Sequence, residues 1–194
     1  MKSTNMAESN ATEFKFVHKN NLRFVLGITL SMLILSIVID VRPLIFLSIF
    51  SIMGALFMIY ERYVQMPVDF ELFTFFTILM TLKYGLFWGM ITGVSTKLSA
   101  VLYNKDFNRN TVFSLSAYVM AAIITNFFHN FITNIIFLSL LVVLLTNIFT
   151  FLVFRLVVQM QDVELFMYGA SNFLFNVVIV MGFSQIFVGL MAFV

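Results

Sequence analysis

The run KYGLFWGMITGVSTKLS, residues 83–99, sets Gly85, Gly89 and Gly93 four apart between Lys83 and Lys97. Residues at i, i+4 and i+8 drift only slowly around one helical face. Three missing side chains on such a stripe let another backbone approach closely, and in lipid close packing is a main source of helix association. The stripe is read as a helix-packing face. Its contact is either another helix of this chain or a partner subunit. Lys97 continues the same row, so it is expected to bound the packed face and extend its ammonium to the headgroups. Lys83 lies at the opposite end, about 21 Å away at 1.5 Å per residue. The two lysines then bracket most of one membrane span.

Composition supports a bilayer setting. Only 10% of the 194 residues are charged and 61% are hydrophobic, whereas soluble domains carry about 25% charge. Most of the surface therefore faces something other than water, as in an integral membrane protein. The formal net charge of +2 comes without a basic patch interleaved with aromatics, which argues against nucleic acid. The chain has no cysteine, so disulfides, thiol catalysis and cysteine-bound metals are excluded.

About 20 apolar helical residues cross a bilayer core. By that ruler seven segments emerge, at roughly 24–41, 44–61, 68–83, 85–103, 111–129, 131–158 and 164–193. The first ends in SIVIDVRP without a small-residue cleavage pattern and is read as a retained anchor. Residues 1–22 are polar and read as a disordered cytoplasmic tail, leaving 23–194 as a single helical transmembrane domain. The fold class is all-α, a polytopic membrane bundle of six to seven spans, with seven preferred.

Charge asymmetry separates the two counts. With seven spans and the N-terminus inside, Lys2, Lys15, Lys19, Arg23, Arg62, Lys97, Lys105, Arg109 and Arg155 lie inside. Only Arg42 and Lys83 lie outside, so nine basic residues oppose two. If segment 68–83 dips in and returns, the bias falls to six against five. The expected location is the plasma membrane, with a cytoplasmic N-terminus and an external C-terminus.

Several polar residues interrupt the apolar spans. VDFELFTFFTILMTL places Glu71, Thr74, Ile78 and Thr81 near one face. The threonines can bond back to their own helix, and Asp69 and Glu71 suit the helix dipole. Glu71 is read as pairing with Lys97 or Arg62, as solvated among headgroups, or as coupling an ion. TNFFHNFITN, residues 125–134, forms the outer boundary of the fifth and sixth segments. There Asn126, His129 and Asn130, with Lys83, are the candidate ligand-binding residues; the same amides could instead satisfy a helix-turn-helix corner. Asn147 is expected to bond across helices to Asn172 or Asn176, or to contact substrate. His18 and His129 fall on opposite sides, so no metal site is expected, and no cofactor is called for. No nucleophile–base set or phosphate loop is present, which argues against an enzyme.

The run FELFTFFTILMTLKYGLFWGMITGVSTKLSAVL (residues 70–102) resembles two families of small membrane proteins. One comprises the substrate-capture S components of energy-coupling-factor (ECF) transporters, which often pair an apolar helix with a Gly-x-x-x-Gly-x-x-x-Gly-like helix. The other is the MreD family of rod-shape scaffolds, with a similar aromatic and glycine core and a closing helix bearing asparagine. The resemblance extends over about residues 44–194. It implies capture of a small vitamin-like molecule for uptake with separate energising subunits or, alternatively, a non-enzymatic scaffold of the cell-wall machinery. The chain differs from both in reading as seven spans. It also lacks an Ala-x-x-x-Ala row on the first span and carries Lys97 where an acidic residue is common.

Overall fold

The structure, a computed structural model, describes residues 40–59, 69–105, 107 and 109–193. The polar tail, His18, Arg62 and nearly all of segment 24–41 lie outside the described residues. The chain divides after Val41, and the helices belong to the unit Arg42–Val194. They are α1 (Arg42–Phe57), α2 (Phe73–Tyr84), α3 (Leu86–Asn104), α4 (Arg109–Phe128), α5 (Ile135–Val153) and α6 (Asp162–Phe193). A π-helical turn, Phe154–Val158, extends α5. Among the described residues the protein is all-α.

Local chemistry sets the breaks. Glu71 opens α2: its carboxylate accepts the Phe73 N–H at 3.2 Å and the Thr74 hydroxyl at 2.6 Å, a pairing that also suits the positive helix N-terminus. Gly85 separates α2 from α3 at φ 90° and ψ 174°, a region essentially confined to glycine. Its N–H closes α2 on the Thr81 carbonyl at 2.9 Å, and its own carbonyl accepts the Gly89 N–H at 3.1 Å. Asn134 caps α5 by accepting the Phe137 N–H at 3.1 Å. Asp162 and Glu164 occupy the first turn of α6, and Asp162 pairs with Arg155 across the preceding loop.

Gly85 therefore differs from the other two glycines of its stripe, because it is a hinge between helices and not part of a packed face. A Cβ there would meet nothing within 4 Å, so the penalty of a side chain is purely conformational. Gly85→Ala is expected to cost about 1–3 kcal/mol. Gly182→Ala, inside α6 and equally unobstructed, should instead be neutral or gain about 0.5–1 kcal/mol. Melting temperatures in one detergent check the pair.

The architecture centres on α2. Every residue from Phe73 to Thr81 is buried, and this helix touches all five others. Thr77 and Thr81 turn their hydroxyls onto the Phe73 and Thr77 carbonyls, each at 2.7 Å, which satisfies them without a partner helix. Around α2, Phe50 stacks on Phe76 with centroids 4.2 Å apart, and Phe187 meets Phe75 edge-on at 5.6 Å. These rings fill the space between α1, α2 and α6.

Two ends of the bundle are distinguishable. Lys83 lines one cavity with His129 and Met191, whereas Asp69 lines another with Asn104 and Asn110. The segment Asp69–Lys83 thus runs from one end of the bundle to the other. Yet α2 itself has only 12 residues, about 18 Å, less than the roughly 30 Å of a hydrocarbon core. The expected helix over 68–83 begins five residues late, since residues 69–72 are given over to the Glu71 cap.

Among the described residues, three helices are long and apolar enough to cross a membrane: Asn110–Phe128, Ile135–Val158 and Asp162–Phe193. Their outer faces carry Ile123, Leu144, Ile148, Leu174, Val178 and Met181, all exposed. Exposed apolar stripes of this extent fit a lipid environment, and the protein fits a membrane protein on these three helices.

Candidate functional site

The structure places the residues of interest in two clusters at opposite ends of α2. The first is a cavity of about 300 Å³ between Leu79, Leu82 and Lys83 of α2, the α4–α5 turn, Leu138 of α5, and Val188 and Met191 of α6. Lys83 and His129 both line it. Its wall is apolar apart from these two and Thr133, so a cation and an imidazole stand at the edge of a greasy recess. Asn126 and Asn130 are exposed and do not line it. The reason lies in helical phase. Tyr118, Ala122 and Thr125 form the buried face of α4, and i+7 stays nearer that face than i+8, which turns Asn126 outward.

The second cluster is a polar core. Asp69 and Glu71 are 3% and 1% exposed, and they meet through Asn172 of α6. The Asn172 amide donates to Asp69 Oδ2 at 2.8 Å and Glu71 Oε1 at 3.4 Å. Its Oδ1 accepts from Asn147 Nδ2 of α5 at 3.1 Å and from Asn176 Nδ2 at 3.2 Å. The Asp69 N–H donates to Ser171 Oγ at 2.9 Å. One asparagine thus ties the start of α2 to α5 and α6, with both faces of its amide in use.

Lys97 completes this core and departs from expectation. It does not reach the headgroups; it is 7% exposed. Its Nζ lies 5.2 Å from the centre of the Phe73 ring and donates to Met58 Sδ at 3.8 Å. α1 packs along α3 over it, and the ring face supplies attraction that water would otherwise provide. No direct ion pair between Lys97 and Glu71 is formed, although its charge acts on Glu71. Arg62, the other partner considered for Glu71, lies outside the described residues.

Gly89 and Gly93 face α2. A Cβ on Gly89 would lie 1.8 Å from Thr81 Oγ1, and one on Gly93 would lie 2.5 Å from Thr77 Oγ1 and 2.6 Å from Tyr118 Cβ. The glycine face is thereby filled from within the chain.

Sequence reasoning treated Asp69 only as a helix-dipole residue and passed over Ser171 and Thr146, which line or brace the polar core. Two acids one residue apart at the head of an otherwise apolar segment were the available signal for Asp69. Thr146 offers none, because a threonine in an apolar helix ordinarily bonds to its own backbone. Among the described residues no three acidic, histidine or cysteine side chains converge as a metal site.

No protein family, no curated protein and no solved structure matches this chain.

Proposed function

We propose that this protein is a polytopic membrane protein of the S-component type. It captures a small, largely apolar molecule bearing an anionic group from outside, for uptake with separate energising subunits. The observation that carries this reading is the cavity of about 300 Å³ that brings Lys83 and His129 together over apolar walls. Its volume lies at the small end of ligand sites, and a greasy wall with few polar groups is their usual chemistry. The proposed topology has six to seven spans, with seven preferred, the N-terminus cytoplasmic and the C-terminus outside. The end-to-end course of Asp69–Lys83 supports a crossing third segment over a re-entrant one, and in the proposed topology the cavity lies at the outer end.

The alternative, an MreD-like scaffold, would present the glycine stripe to a partner. Thr77 and Thr81 already occupy Gly93 and Gly89, which favours capture. The test is thermal stabilisation of purified protein across a panel of small carboxylates and vitamins. A stabilising compound should lose affinity about 10–100-fold in Lys83→Ala, the range of about 1.5–3 kcal/mol for a charged hydrogen bond. The melting temperature without ligand should stay unchanged, since Lys83 is exposed. A blank panel together with co-purifying cell-wall proteins would overturn the reading.

A further inference from the structure

Within the polar core lies a cavity of about 10 Å³, room for a single water-sized sphere. Asp69 and Glu71 border it ahead of α2, Ser114 on α4, Thr146 on α5, and Tyr168 and Asn172 on α6. Every lining residue but Ala117 carries a side-chain oxygen. Side-chain oxygens in this number, enclosed at one end of an otherwise apolar bundle, suit a hard cation.

Thr146 supplies an independent observation. It is 3% exposed, and its Oγ1 has no hydrogen-bond partner. Thr77, Thr81, Thr125 and Thr150 all donate to the carbonyl four residues back, which is the ordinary solution for a helical threonine. Thr146 forgoes it and borders the cavity instead. A buried oxygen left unsatisfied is costly unless something occupies the space it faces.

Charge points the same way. Among the described residues of this core, Asp69 and Glu71 with Lys97 sum to −1 when all three are ionised, and a low-dielectric interior strongly disfavours a net charge. One monovalent cation restores neutrality. With Lys97 counted, a divalent ion would leave the core at +1, and no third acidic group among the described residues joins the cluster to offset it. A proton on one carboxylate with a water in the cavity is the competing arrangement, and it would give no dependence on Na⁺.

We propose that this cavity binds one dehydrated Na⁺, held between the Asp69 and Glu71 carboxylates and the Thr146 hydroxyl. The site ties α2, α5 and α6 together at the end of the bundle opposite Lys83, and it is independent of the capture reading, since a scaffold could carry it equally.

The test uses the full chain in detergent at fixed pH and ionic strength, exchanging NaCl for KCl or choline chloride. A saturable rise in melting temperature with Na⁺ is expected, about 5–10 °C at a hundredfold excess over Kd, with choline inert and K⁺ weaker. Thr146→Val, which keeps the volume and removes the oxygen, should melt within about 2 °C of wild type in choline and lose the Na⁺ response. Should that variant not fold, equilibrium binding of radioactive Na⁺ to the wild-type chain must give one ion per protein. Equal melting in Na⁺ and choline, a response to pH or ionic strength alone, a Na⁺ response that survives in Thr146→Val, or no bound radioactive Na⁺ would each overturn the proposal.

Discussion

Gly89→Leu should abolish recovery of folded monomer. At this position even the first carbon of a side chain would sit 1.8 Å from Thr81 Oγ1, 2.9 Å from its Cβ and 3.2 Å from its Cα. Moving the hydroxyl aside does not suffice, because the backbone of α2 is itself within reach. The helices must part, and α2 has nowhere to go, since every residue from Phe73 to Thr81 is already packed. Overpacking a core by one or two methylenes costs about 1–3 kcal/mol. A whole leucine against a backbone exceeds that, in a fold whose total stability is of order 5–15 kcal/mol. Gly169→Leu is the control, for a Cβ there meets nothing within 4 Å. Fluorescence-detected size exclusion should show a monodisperse peak for Gly169→Leu and none for Gly89→Leu. A normal monomer peak for Gly89→Leu with loss of a bound partner would instead put the stripe at a subunit interface.

Asn172→Leu is expected to cost about 3–5 kcal/mol, the range for breaking a buried charged network by removing one member. The change keeps the branched heavy-atom shape and removes an amide that donates to both Asp69 and Glu71 and accepts from Asn147 and Asn176. Interhelical hydrogen bonds in lipid average only about 0.6 kcal/mol, so the three bonds to other segments, taken as neutral, would total about half the expected loss or less. The remainder comes from two carboxylates stripped of a donor at 3% and 1% exposure. Asn147→Ala should therefore cost much less, about 0.6–1 kcal/mol, because only its bond to Asn172 crosses between helices. Denaturant unfolding of the two variants in mixed micelles gives the comparison. Equal losses would mean the carboxylates do not depend on Asn172.

Much of this arrangement was legible in one dimension because it follows from period and polarity. The asparagines were conspicuous as amides in apolar helices, and Asn147 does share a bond with Asn172. The glycine stripe announced a close approach, and Gly89 and Gly93 make one. Lys97 was misjudged because a lysine one turn beyond a glycine row has two outlets, a headgroup or an aromatic ring, and only the position of Phe73 selects the second. Asn126 was misjudged by one residue of helical phase.

Composition and periodicity alone determined that this chain is helical and apolar enough for a bilayer, since both depend on side-chain transfer energies and a 3.6-residue repeat. Tertiary structure alone decided that the least lipid-exposed helix, α2, is the axis of the bundle and that the acids at its head share a core with Lys97 and Asn172. Hydropathy cannot distinguish a helix surrounded by lipid from one surrounded by protein. Both environments lack water, and only the neighbouring helices tell them apart.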